Sequence, residues 1–112
     1  MKQRIAILSD IHGNTTALEA VLNDAKELGA TEYWLLGDLF LPGPGGNDLM
    51  DLLEGVPITV EVRGNWDDCV LEALDGVYGL EDPQEIQLLR LTQYLMERLD
   101  TRHIDWLRSL PL

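Results

Sequence analysis

Arg4-Ile5-Ala6-Ile7-Leu8-Ser9-Asp10-Ile11-His12-Gly13-Asn14 is the stretch whose reading decides the fold. The apolar run from Ile5 to Leu8 is too short for a helix and rich in β-branched side chains, so Arg4–Leu8 reads as a short buried strand. It ends on an acid, an imidazole, a glycine and a carboxamide in close succession. Asn14, Thr15 and Thr16 then offer helix-capping oxygens, with Thr16 and Glu19 spaced as a capping box. Leu18, Val21, Leu22, Ala25 and Leu28 recur with helical period, and Gly29 is placed to end the helix.

The same unit recurs along the chain. Tyr33-Trp34-Leu35-Leu36 reads as a second strand that stops at Gly37-Asp38. Leu41-Pro42-Gly43-Pro44-Gly45-Gly46 reads as a loop, and Asp48–Glu54 as a short helix with Leu49, Leu52 and Leu53 facing inward. Ile58–Val62 is a third strand, ending at Gly64-Asn65-Trp66-Asp67. The order β-α-β-α-β predicts an α/β fold with parallel strands and right-handed crossovers. In such sheets ligands gather at the carboxyl ends of the strands, so the three polar clusters are expected on loops along one edge.

The rest reads as helical. Asp82-Pro83-Gln84-Glu85 has a capping acid, a proline in the first turn and an acid three residues past the cap. Ile86, Leu89, Tyr94, Leu95 and Leu99 continue that helix, and Thr101 opens a last one carrying Ile104, Leu107 and Leu110. Residues 1–68 are therefore expected to form the α/β part that carries the clusters, and 69–112 a mainly helical part of one partial domain. The abrupt apolar end at Leu110-Pro111-Leu112 reads as a chain interrupted inside a larger fold.

A net charge of −12 on 112 residues, with no cluster of Lys or Arg, excludes a protein that coats nucleic acid. The same charge repels phosphate ligands unless bound cations reverse the local field. The single cysteine, Cys69, forms no internal disulfide and is read as a small apolar filler; it fits a reducing cytoplasm, where the chain is expected. No run approaches membrane-spanning length, and the start lacks the apolar stretch of a signal peptide.

Asp10 and His12 are one residue apart, a spacing that at a strand end sends both side chains to one side. Asp38 would add a carboxylate able to bridge two ions, and Asn65 a neutral carbonyl oxygen. Each has a plainer reading: a post-strand Asp caps a helix, a loop His is a surface residue, and Gly-Asn is a turn pair. Three such clusters, each after an apolar strand, favour a pair of divalent ions of the kind that clamps both oxygens of an in-line displacement.

These residues resemble the calcineurin-like metallophosphoesterases, whose pattern is D-x-H, then G-D, then G-N-H-D/E, followed by two later histidine motifs. Asp10-Ile11-His12, Gly37-Asp38 and Gly64-Asn65 match the first three. The run Asp10-Ile11-His12-Gly13-Asn14, the Leu36-Gly37-Asp38 loop continuing to Pro42-Gly43, and Gly64-Asn65-Trp66 are similar to the small bacterial phosphodiesterase and diadenosine tetraphosphate hydrolase-like branch. The resemblance spans about residues 4–68. It implies the first half of a sandwich of two sheets between helices. It also implies a metal held by Asp10, His12 and Asp38, with Asp38 bridging to a second metal that Asn65 also binds. Mn, Fe or Zn would suit these donors, and a metal-activated hydroxide would attack phosphomonoesters, phosphodiesters or dinucleoside polyphosphates.

Two departures bear on the chemistry. Trp66 stands where most of the family has a histidine, and an indole N–H cannot shuttle a proton near neutral pH. No catalytic residue is therefore assigned, and Asp67 is left without a role. The family's later histidine ligands have no counterpart, because the other histidine, His103, lies in a predicted helix and is read as a surface residue. The chain alone is thus expected to be weak or inactive, and to self-associate through an uncovered sheet. The alternative is a non-catalytic metal- or nucleotide-binding protein on the same scaffold.

Overall fold

A computed structural model describes residues 3–112. Three parallel strands, β1 (Ile5–Leu8), β2 (Glu32–Leu35) and β3 (Ile58–Glu61), lie in the order β1-β2-β3. Ile5 pairs with Glu32 and Leu8 with Leu35, while Tyr33 pairs with Ile58 and Leu35 with Glu61. Helix α1 (Thr15–Glu27) crosses from β1 to β2, and α2 (Asn47–Leu53) from β2 to β3. Three helices complete the chain: α3 (Asn65–Leu74), α4 (Pro83–Met96) and α5 (Thr101–Ser109). The α/β architecture and its parallel connections are those expected from the sequence.

Helix starts follow local chemistry. Asn14 caps α1 by accepting from the Ala17 N–H at 3.0 Å, so the helix begins before the capping box expected at Thr16. Asp82 caps α4 through the Gln84 N–H, with Pro83 in the first turn as expected. Helix α3 begins inside the third cluster, which is therefore the first turn of a helix and not a loop. The acids Asp67 and Asp68 in that turn complement the positive end of the helix.

The core joins the sheet to the helices through Leu8, Leu18, Leu35, Leu49, Leu95 and Leu107. Its largest fully buried side chain is Phe40, flanked by equally buried Leu39 and Leu41. The segment after Asp38 is thus irregular in backbone yet anchored in the core, where one such aromatic side chain contributes about 1.5–3 kcal/mol. Ile104 and Leu107 of the last helix, and Leu110 just past its end, are buried, as their spacing predicts. The backbone N–H of Arg63 donates to the Pro111 carbonyl at 2.8 Å, tying the end of this helix to the end of β3.

Two expectations about burial are corrected. Strand β1 is not a buried strand: Ile5 is 41% and Ile7 58% exposed, and only Leu8 is buried. β1 is an edge of the sheet, with no strand among the described residues paired to its outer side. Val21 and Leu28 of the α1 segment are exposed beside it. His103 lies on α5 as expected, but it is half-buried where it lines an open surface pocket of about 340 Å³ with Glu61 and Trp106, not fully exposed.

Candidate metal centre

The loops after β1 and β2 are laced together by their backbones. The N–H of Asp10 donates to Gly37, that of His12 to Asp38 at 2.8 Å, and that of Gly13 to Leu39 at 2.8 Å. A third segment closes over them, the N–H of Gly43 donating to His12 and that of Gly45 to Gly13. The approach is so close that a Cβ on Gly13, whose φ is +73°, would lie 2.3 Å from the Gly43 oxygen. Likewise a Cβ on Gly37 would lie 2.3 Å from the Gly64 nitrogen, which brings the β2 and β3 loops into backbone contact.

Within this lacing, Asp10, His12 and Asp38 each present one ligand atom, and these atoms all lie within 4.8 Å of one another. All three residues have left-handed backbones, with φ of 57°, 51° and 56°. Non-glycine residues avoid this region at a cost of about 1–3 kcal/mol, and such strain concentrates where side chains are held for a task. The convergence of Asp10 and His12 therefore comes from two left-handed residues beyond the end of β1, not from alternation along a strand.

His12 is oriented from behind. Its Nδ1 lies 2.9 Å from the Leu41 carbonyl. A carbonyl only accepts, so Nδ1 is the donor in this contact and Nε2 is the ring nitrogen turned toward the other two side chains. Nε2 in turn faces Asp10 Oδ1 at 3.5 Å, which sets a ring nitrogen and a carboxylate oxygen toward one point. Such a pair of atoms could hold a cation between them, and a carbonyl behind the imidazole is a usual way in which a metal-binding histidine is fixed. The Trp66 ring packs edge-on against the His12 ring, with centroids 5.8 Å apart. The tryptophan that stands in the third cluster is thus a wall of the site.

Asp38 has a second duty. Its Oδ1 accepts the Trp66 backbone N–H at 2.9 Å, capping α3 from a neighbouring loop. Gly64 lies against the same oxygen, and a Cβ there would stand 2.3 Å from it. Asn65, exposed as the first residue of α3, sits between these two Asp38 contacts.

The sequence assigns Asp67 no role, and the structure supplies one. It is 1% exposed, and its carboxylate accepts the N–H groups of Asp38 at 2.8 Å, Leu39 at 3.0 Å and Gly64 at 3.0 Å. One side chain thereby fixes both the β2 and β3 loops. Burial pushes the Asp67 carboxyl above the ordinary carboxylate range, against the pull of its three backbone donors and with a small further push from Asp38. The readable signal was its position three residues into a helix that begins at a glycine unable to cap itself. Cys69 lies farther along α3, half-buried beside the Tyr78 hydroxyl, outside the Asp10, His12 and Asp38 group.

Residues 3–112 match the calcineurin-like phosphoesterase family. An uncharacterized protein of Methanocaldococcus jannaschii is 42% identical over 116 residues, an alignment that takes in 100% of this chain and 44% of that one. The symmetrical bis(5'-nucleosyl)-tetraphosphatase of Salmonella paratyphi A is 31% identical over 108 residues, 95% of this chain and 36% of the relative. Among solved structures, a metallophosphoesterase from Sphaerobacter thermophilus superposes with a TM-score of 0.71 at 32% identity, over 99% of this chain and 42% of its own. The chain thus spans less than half the length of these relatives. With its match running from the first described strand to the last helix, the chain belongs to the calcineurin-like phosphoesterase family.

Proposed function

We propose that this chain is the metal-binding N-terminal part of a dinuclear metal-dependent phosphoesterase. The observation that carries the reading is the convergence of the Asp10, His12 and Asp38 ligand atoms within 4.8 Å. Asp10, His12 and Asp38 would hold one ion, and Asp38 and Asn65 a second, with Mn, Fe or Zn suited to these oxygen and nitrogen donors. When bound, such ions activate water and offset charge on phosphoryl oxygens. The chain's own residues do the rest: Leu41 fixes the His12 tautomer, Trp66 walls the imidazole, and Asp67 holds the Asp38 and Gly64 loops in place.

Substrates of the complete protein would be phosphomonoesters, phosphodiesters or dinucleoside polyphosphates, the last by analogy with the Salmonella tetraphosphatase. In this reading residues 1–68 carry the metal motifs and 69–112 the helical support, and the lone Cys69 suits the cytoplasm. No helix among the described residues is long and apolar enough to cross a membrane.

The test is metal content together with Mn²⁺-dependent hydrolysis of bis(p-nitrophenyl) phosphate by this chain. The expected result is bound metal with weak turnover, because the later histidine motifs have no counterpart here. Failure to bind Mn²⁺, Fe²⁺ or Zn²⁺ would sink the reading. A second reading, a non-catalytic metal- or nucleotide-binding protein, is favoured by Trp66 in the place of a histidine and by His103 lying on α5. Metal bound with no turnover, even in a protein completed to the relatives' length, would select it.

The open edge of β1, with Ile5, Ile7, Val21 and Leu28 exposed beside it, leads to a prediction about assembly. Unpaired strand edges flanked by apolar side chains recruit further strands. Light scattering on the purified chain is expected to show self-association that Ile7→Lys reduces. A monodisperse monomer would count against this.

A further inference from the structure

We infer that Arg98, in the turn between α4 and α5, is a positioning residue for His12, acting through the segment from Leu41 to Asn47. The inference rests on the reading of His12 as a metal ligand. That segment is held on one side by the site: Gly43 and Gly45 donate their N–H groups to His12 and Gly13, and the Leu41 carbonyl meets His12 Nδ1. It is held on the other side by the helical part of the chain. Arg98 Nε donates to the Pro44 carbonyl at 2.9 Å, and the Asn47 N–H donates to the Arg98 carbonyl at 2.8 Å. Asn47 and Asp100 add a reciprocal pair, the Asp100 N–H donating to Asn47 Oδ1 at 2.9 Å and Asn47 Nδ2 donating back at 3.2 Å.

Packing leaves this segment no slack. A Cβ on Gly46 would lie 2.5 Å from the Arg98 carbonyl oxygen. The Arg98 guanidinium stacks on the exposed Tyr94 ring at 3.7 Å, which helps to fix its plane. Its two terminal nitrogens are buried without an acceptor among the described residues, and no carboxylate pairs with it there. Burying a guanidinium in this way costs stability, and replacing it with an apolar side chain would relieve that cost. What the arginine contributes is a fixed Pro44 carbonyl, hence a fixed Leu41–Gly45 strap across the back of the imidazole.

The experiment reads the His12 tautomer directly, by long-range ¹H–¹⁵N NMR of the imidazole nitrogens at alkaline pH, with His103→Ala identifying the signals. The unaltered chain is expected to show His12 in the Nδ1–H form. In Arg98→Ala the single tautomer gives way to a mixture, and Mn²⁺ binding by titration calorimetry weakens about tenfold, the lower end for loss of a supporting partner. Arg98→Lys, which keeps a donor for Pro44, recovers most of both. Arg90→Ala, an exposed arginine on α4, changes neither. If Arg98→Ala does not fold by circular dichroism, Arg98→Met, which keeps the apolar stem against Tyr94 but has no donor for the Pro44 carbonyl, carries the test.

A folded Arg98→Ala chain with the Nδ1–H form intact and unaltered Mn²⁺ affinity overturns the inference. So does an unaltered chain whose His12 is in the Nε2–H form. If the unaltered chain binds no metal, the phosphoesterase reading fails, while the tautomer signals still decide the role of Arg98.

Discussion

Asp38→Asn is expected to abolish Mn²⁺ binding by this chain while leaving it folded. The carboxylate belongs to the Asp10, His12 and Asp38 group and is the member proposed to serve both ions. Asparagine is nearly the same size and is among the few residues that accept the left-handed backbone that Asp38 adopts at φ 56°. Its amide oxygen also preserves the acceptor for the Trp66 N–H that starts α3. What is lost is the negative charge and one oxygen donor. Removing a partner that merely supports a metal ligand costs 10–100-fold in affinity, so loss of a bridging ligand should exceed about 100-fold. His103→Ala is the matched control, because that side chain lines the cavity between α2, β3 and α5 and lies outside the ligand group. Titration calorimetry and thermal melts of the two variants decide the matter. Equal loss of metal affinity in both would remove Asp38 from the site.

Period-2 and period-3.6 patterns are local, so the β-α-β-α-β order could be read directly, and each polar cluster after a strand fell at the carboxyl edge. The pairing of Asp10 with His12 was readable from spacing, but its cause was not. The structure brings them together with two left-handed residues, a conformation that no hydropathy pattern encodes. The third cluster looked like a loop because Gly64 offers no capping side chain; the cap comes from Asp38, far away in sequence, and only the fold reveals it.

Other features escaped for the same reason. Leu39, Phe40 and Leu41 sit between Gly-Asp and a Pro/Gly-rich stretch, a context that reads as a surface loop, yet they are the most buried segment of the chain. Their burial fixes the loop that carries Asp38 and presents the Leu41 carbonyl to His12. The apolar run of β1 predicts a buried strand because such runs in parallel sheets are covered on both faces; its exposure reflects what lies next to it, which a local pattern cannot contain. Asp67 and Arg98 matter through contacts with residues distant in sequence, and a single sequence gives those contacts no signature.

Asp67→Ala is expected to produce the largest loss of stability of any single substitution at the site. The side chain is 1% exposed and is the acceptor for the N–H groups of Asp38, Leu39 and Gly64. Truncation leaves three backbone donors in a site closed to water, each costing about 1–3 kcal/mol, and opens a small void. The sum, discounted for relaxation of the loops, is about 3–5 kcal/mol, a large share of the 5–15 kcal/mol that holds a typical domain together. The melting temperature should fall by at least about 12 °C. Asp67→Asn is milder and diagnostic. Its single oxygen can occupy the Oδ2 position, which takes both Asp38 and Gly64, but its NH₂ then meets the Leu39 N–H donor to donor. A loss of about 2 kcal/mol is expected. The neighbouring Asp68 makes only a partly exposed ion pair with Arg63 at 3.2 Å, so Asp68→Ala should change stability by less than about 1 kcal/mol. Denaturant melts of the three variants separate the cases. If Asp67→Ala and Asp68→Ala proved equally mild, the buried carboxylate would not be what joins the β2 and β3 loops, and the geometry of Asp38 would need another support.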